Sequence, residues 1–222
     1  FDSNGQVSGS DRILDEVQTG NQQIVATAHG ANRLTLVVWV TGDTTGGARI
    51  VDSNGNTVGS EVPLTGLSSY ANATALDDGG FVVANSANGF VDIAITKISA
   101  SGTIVGTPYV VPSGTYNEFV VKDVVPLEGG GYMLLRNSSG LVGQAFDANA
   151  NPVGAPVQVS SGTSNLAIYN DLDVATLHDH RSLVTWSQFN TASGTNDVFA
   201  RFVEADGSFS IIAVVWRPGQ LT

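Results

Sequence analysis

The chain contains no cysteine. That excludes a disulfide framework and any thiolate metal site, and it argues against a small disulfide-built domain. Positive charge is scarce: 9 Lys and Arg stand against 20 Asp and Glu, for a net charge of -11. An acidic surface repels phosphate backbones and anionic membranes, so no nucleic-acid partner is expected. The same charge is compatible with calcium. No apolar run is long enough to span a bilayer, so no membrane insertion is expected. The longest such run, Ile211–Trp216, has the length of a strand. Helical periodicity is missing throughout. So are a G-x-S-x-G elbow, a phosphate-binding glycine loop before a helix, and an H-E-x-x-H pair.

What the chain does have is glycine, at 26 of 222 residues, with charged residues at only 13%. Val, Thr, Ser and Asn are abundant. This is the profile of an all-β protein with many tight turns, and the length suffices for one sizeable domain with a core of its own.

One phrase recurs. VDSNGNTVGSEVPL begins at Val51, FDANANPVGAPVQV at Phe146, FDSNGQVSGSDRIL at Phe1 and ISASGTIVGTPYVV at Ile98. The turn glycine or its equivalent falls at Gly5, Gly55, Gly102 and Ala150, with a further candidate at Gly207. Recurrence at roughly 50 residues marks a repeat architecture. Each unit divides into four short apolar runs; in the second unit these are Ala71–Leu76, Phe81–Ser86, Phe90–Ile98 and Thr103–Val111. Asp77-Asp78-Gly79-Gly80 joins the first two, and Ser99-Ala100-Ser101-Gly102 joins the last two. Such short turns force antiparallel neighbours.

Four-stranded antiparallel units at this period describe the blades of a β-propeller. A β-sandwich is the alternative, but it predicts no internal four-strand repeat. The expected blades are about 22–64, 70–111, 117–160 and 166–216, within a single domain covering 1–222. Phe1–Val17 reads as the last strand of a preceding blade. Because Phe1 lies inside a copy of the repeat, the chain is read as a processed product or a piece of a longer one. The second run of each unit is the most apolar and belongs in the middle of its sheet. Trp39, Ala84, Leu135 and Trp186 are aligned there as equivalent positions between adjacent sheets.

These residues also carry a family likeness. Gly79–Val83 (GGFVV), Leu183–Trp186, Gln144–Asp147, Phe199–Phe202 and the stretch Phe146–Gly154 (FDANANPVG) resemble a repeat of large secreted bacterial proteins of the RTX, or hemolysin-type, calcium-binding class. The resemblance implies a secreted or surface-attached bacterial propeller module with adhesion or matrix functions. It brings no catalytic set. The calcium-binding nonapeptide array of that class is absent, Ala84 stands where the repeat tends to have Trp, and the fourth unit has His178-Asp179-His180-Arg181 in place of Gly-Gly.

Several residues are candidates for chemistry. Asp52, Asn54 and Asn56, and again Asp147, Asn149 and Asn151, place oxygens at alternate positions, as a calcium loop begins. Without a carboxylate at the twelfth position neither is an EF-hand, and the plainer reading is a hairpin loop closed by Asx turns. Calcium is thus an optional ligand; no other cofactor is expected. His178 and His180, with Asp77 and Asp78, occupy equivalent turns on one face of the ring and are the candidate ligand-binding residues. His29 stands in the equivalent turn of another blade, far around the ring from His178 and His180 in this reading, so no third metal ligand is evident. Asp77-Asp78 and Asp171-x-Asp173 also resemble the carboxyl pairs of glycosidases, which stand about 5 to 10 Å apart, although adjacent Asp residues on a turn are ordinarily turn formers. Asn72-Ala73-Thr74 and Asn137-Ser138-Ser139 fit the glycosylation sequon.

Three functions are compatible with this. The first is a non-enzymatic, extracellular or cell-surface binding or adhesion propeller. Carbohydrate is its candidate ligand, with Tyr70, Tyr116 and Tyr169 standing just before the first strands. The second is a structural subunit of a surface layer, filament or large assembly, joining other chains through unpaired strand edges. The third is a polysaccharide-acting enzyme.

Overall fold

The computed structural model describes residues 11–16, 20–42, 45–67, 71–87, 92–111, 121–137, 140–160, 172–177, 179–190, 194–210 and 214–216. His178, Asp171, Tyr70, Tyr116, Tyr169, Ser138 and Ser139 lie outside them, as do residues 1–10 and Val17.

The strands fall into four sheets in strict chain order. The first holds β1 (Gln22–His29), β2 (Thr35–Thr41), β3 (Thr45–Val51) and β4 (Thr57–Thr65); the second holds β5 (Ala71–Ala75), β6 (Phe81–Ala87), β7 (Asp92–Ile98) and β8 (Ile104–Val111). The third holds β9 (Val121–Pro126), β10 (Tyr132–Asn137), β11 (Leu141–Phe146) and β12 (Pro152–Gln158); the fourth holds β13 (Leu172–Thr176), β14 (Ser182–Asn190), β15 (Thr195–Val203) and β16 (Val214–Trp216). All pairing is antiparallel between successive strands. The sheets are four propeller blades, and among the described residues no strand passes between sheets as in the sandwich alternative. The first strands are innermost: β1 packs on β5, β5 on β9, and β9 on β13.

The recurring phrase now has a physical reason. Its first glycine closes the turn between the third and fourth strands with a left-handed backbone: φ is 77° at Gly55, 78° at Gly102 and 82° at Gly207, and Ala150 adopts 65° in the same place. Its second glycine, at Gly59, Gly106 and Gly154, is also left-handed, with φ of 72°, 70° and 68°. There the register slips, between Ala48 and Ile50, Ile95 and Lys97, and Gly143 and Ala145. This is a β-bulge repeated in three blades, and it requires a residue without a Cβ.

Each apolar cluster lies between two neighbouring blades. Leu36, Val38 and Val40 meet Phe81 and Val83. Val82, Ala84, Ile93 and Ile95 meet Tyr132, Leu134 and Phe146. Met133, Leu135 and Leu141 meet Val184, Trp186 and Val203. A blade thus has a front, toward the next blade, and a back, toward the one before. The front of the fourth blade carries exposed Phe189 and Val198, at 39% and 45% of their surface. Among the described residues no buried apolar cluster joins it to the first blade.

The alignment of second strands is corrected by one residue. The turn bonds Gly30 N–Leu34 O, Leu76 N–Gly80 O, Leu127 N–Gly131 O and Leu177 N–Arg181 O fix the equivalence of the four blades. Counting from them, Trp39 matches Asn85, Arg136 and Trp186, all on the back of their blades. Ala84 and Leu135 match Val38 and Thr185, on the front. A slip of one residue exchanges the two faces of a strand. Trp186 is buried against the third blade and stacks on Phe199 at 5.6 Å. Trp39 is equally buried but faces away from the second blade.

No described helix is long and apolar enough to cross a membrane.

Candidate functional site

The turns between first and second strands gather at one end of the ring. In the second blade Asp77 and Asp78 follow Leu76, and their carboxylates part company. Asp78 Oδ1 accepts the Gly80 amide at 2.9 Å, while Asp78 Oδ2 accepts the Lys97 ammonium at 2.6 Å. Burial pushes the Asp78 carboxyl up, but Lys97 and the Gly80 amide outweigh it and hold it below the usual carboxylate range. Lys97 itself is 5% exposed and also donates to the Ala148 carbonyl of the third blade at 2.6 Å.

Asp77 reaches across the ring. Its Oδ2 lies 3.4 Å from Nδ1 of His180, in the equivalent turn of the fourth blade. His180 adopts a φ of 63°, where the second and third blades have Gly79 at 79° and Gly130 at 82°. An imidazole held in the left-handed region, with its ring nitrogen on a carboxylate two blades away, shows that these turns converge. The turn residues do not all lie far apart, as a wide ring would place them. The neighbouring Asp179 pairs with Arg181, Nε to Oδ2 at 2.8 Å, and the Arg181 guanidinium lies 5.1 Å over the Phe202 ring. Of the four ligand-binding candidates, the structure therefore brings Asp77 and His180 together, turns Asp78 toward Lys97, and leaves His178 outside the described residues.

The two Asx loops are hairpin turns of the first and third blades. Asp52 Oδ1 accepts the amides of Asn54 and Asn56, and its Oδ2 accepts Asn56 Nδ2 at 3.1 Å. Asp147 does the same with Asn149 and Asn151. The bonds from Asn56 and Asn151 hold both carboxyls below their ordinary range. Their oxygens face amide hydrogens, so a cation would have to displace those donors. Among the described residues no three His, Cys, Asp or Glu side chains are placed to hold a metal.

A second cluster lies on the innermost strands. Asn72 pairs with Ala84, Asp123 with Leu135, and Asp173 with Thr185. These are one structural position in three successive blades, on the front of the first strand; the first blade has Ala26 there, opposite Val38. Asn72 donates to the Lys122 carbonyl at 2.7 Å and so ties β5 to β9. That bond also occupies the amide of the first sequon. Asp123 accepts the Val124 amide at 2.7 Å, and Asp173 accepts that of Val174 at 3.0 Å. Burial pushes the Asp123 carboxyl up to about 6, and the charge of Asp173 adds to the rise. Two carboxyls thus stand at neighbouring blades, that of Asp123 buried enough to keep its proton nearer neutrality, as a general acid must. Sequence reasoning singled out Asp173 but not Asn72 as part of this row, nor Asp123. The signal was present: all three precede their turn by the same count once the blades are aligned.

No family model matches the chain, and no curated protein matches it. Solved structures do. An exo-beta-1,3-galactanase from Phanerochaete chrysosporium, crystallised with galactose, superposes with a TM-score of 0.51 at 12% identity, over 86% of this chain and 48% of that one. BamB from Moraxella catarrhalis gives 0.47 at 12% identity, over 86% of this chain and 64% of that one. A protein of unknown function from Bacteroides caccae gives 0.46 at 12% identity, over 84% and 79%. The chain spans about half the length of the galactanase. At this identity the likeness to the galactanase concerns the fold alone, and it agrees with a β-propeller.

Proposed function

We propose that this chain is a carbohydrate-binding propeller module of the cell exterior, which holds its ligand without transforming it. The observation that carries the reading is the row of Asn72, Asp123 and Asp173 on the innermost strands. The same position holds an amide or a carboxylate in three consecutive blades, where an alanine suffices in the first. Amides and carboxylates in such a row suit the many hydroxyls of a sugar. Asp123 keeps its place although its burial is unfavourable to charge, as residues kept for binding do. The resemblance to repeats of secreted bacterial proteins supports the location. The test is a glycan and polysaccharide array probed with the purified chain, with calcium and with chelator. Saturable binding that Asp123→Asn and Asp173→Asn weaken is expected; a blank array in both conditions counts against the reading.

One observation favours a second reading, a polysaccharide-acting enzyme: Asp123 and Asp173 are a carboxyl pair whose environments differ. General acid and general base work on a glycosidic bond needs such a pair. Release of reducing ends from a polysaccharide panel, lost in Asp173→Asn, would establish it; no release leaves the binding reading in place.

A further inference from the structure

We propose that the cleft between the second and third blades is a subsite for one neutral sugar ring, built on the Lys97–Asp78 pair. This rests on the reading of the chain as a carbohydrate-binding module, but the residues are separate from the Asn72–Asp123–Asp173 row.

The cleft encloses about 270 Å³, and Asp78, Lys97, Ser99 and Asn149 line it beside Val105 and Ala148. Lys97 is the unusual residue. Register places it opposite Val82 on the front of its blade, where Ile50 stands in the first blade, Ala145 in the third and Phe202 in the fourth. A cation at an apolar position is costly unless something requires it. Joining the blades does not call for a buried ion pair. The seam between the first and second blades is closed by the Asn32 side chain on the Gly79 carbonyl at 3.0 Å, and that between the third and fourth by the Glu128 amide on the Ala205 carbonyl at 3.1 Å and the Arg201 guanidinium on the Val159 carbonyl at 3.2 Å. Among the described residues neither seam has an ion pair like that of Lys97 and Asp78.

An ammonium has three donors, and the Asp78 and Ala148 oxygens take two. Asp78 remains 43% exposed, an acceptor at the mouth. A donor and an acceptor side by side suit the paired hydroxyls of a sugar. Charge selects a neutral ligand: Lys97 and Asp78 already neutralise each other at the cleft, so neither sign of ligand charge is left a counter-ion. Val105 and Ala148 offer a small apolar wall to ring C–H groups, and the volume lies just below the range of about 300–1,000 Å³ usual for drug-sized ligands.

The experiment is an NMR titration of the isotope-labelled chain with methyl β-galactoside, methyl α-glucoside and methyl α-mannoside, using methyl glucuronide as the charged control. For at least one neutral glycoside, the account expects saturable shifts at the Ala100, Ala148 and Asn149 amides, and none with the glucuronide. Lys97→Met, which puts an apolar side chain where other blades have one, abolishes those shifts while the remaining spectrum is kept. Val105→Phe narrows the cleft from an exposed strand and abolishes them too, which guards against a misfolded Lys97 variant. Shifts confined to the Asn72–Asp123–Asp173 row overturn the subsite and leave the binding function standing. Silence everywhere overturns both. Shifts at the cleft that survive both substitutions overturn the role given to the pair.

Discussion

Asp77 of the second blade and His180 of the fourth meet at 3.4 Å, although 103 residues separate them (180 minus 77). The contact spans the ring. His180 meets Asp77 from a left-handed turn position, with φ of 63°. Both side chains are partly exposed, at 35% for Asp77 and 48% for His180. An exposed pair is worth at most about 1 kcal/mol. Asp77→Asn is therefore expected to lower the melting temperature by no more than about 4 °C. A larger loss in thermal unfolding would mean that the contact holds the ring together.

Ala150 also carries a left-handed conformation, with its methyl only partly buried beside the cluster between the second and third blades. An L residue there is strained by about 1–2 kcal/mol, partly offset by the greater chain entropy that glycine loses on folding. Ala150→Gly restores the residue that the first, second and fourth blades have at this turn. A gain of about 0.5–1 kcal/mol in denaturant unfolding is expected, with an unchanged m-value; destabilisation would show that the Ala150 methyl makes contacts that outweigh the strain.

Lys97 and Asp78 respond unequally to removal. Asp78→Ala leaves an ammonium that is 5% exposed with only the Ala148 carbonyl as partner. The expected cost is about 1–3 kcal/mol, reduced from that of a fully buried pair because water reaches the Asp78 side. Lys97→Met replaces the pair by an apolar contact and is expected to be near neutral. Equal losses in the two variants would contradict the account of a cation held at some expense in an apolar place.

Asp123 gives the pH dependence. Its carboxyl titrates at about 6 in the folded chain against 3.8 for the free group. The folded state therefore binds more protons than the unfolded state between those values. Stability is fullest below pH 3.8 as far as this group is concerned, and falls as pH rises from there through about 6. Asp123→Asn removes the penalty. The variant is expected to be more stable at pH 7 by about 1–2 kcal/mol, allowing for partial solvent screening, with a flatter profile between pH 4 and 6. Stabilisation coupled to lost binding is the mark of a residue retained for function at the expense of stability.

Much of this was legible in the sequence and some was not. The four-stranded blade could be read from turn spacing, because Asp-Gly-Gly and Ser-Gly turns dictate antiparallel neighbours. The repeated glycines were visible too, although only the backbone shows that Gly59, Gly106 and Gly154 form bulges. The sequence aligns Ala84 and Leu135 with Trp39 and Trp186, whereas the register puts them one residue away and on the opposite face. A strand alternates every residue, so an error of one position in aligning GANRL with LDDGG reverses it. Lys97 ends an Ile-x-Ile-x-Lys alternation, which marks it as inward-facing once the strand is accepted. The Asp77–His180 contact was out of reach, since it depends on how tightly the blades curve around the axis.

The most direct test of the account is the affinity of the strongest array glycan, measured by calorimetry on the chain and on the Asp123→Asn, Asp173→Asn double variant, with thermal unfolding to confirm that both are folded. Loss of at least tenfold in affinity, in a variant at least as stable as the original, is the predicted result. Unchanged affinity would contradict it and move the binding site away from the innermost strands.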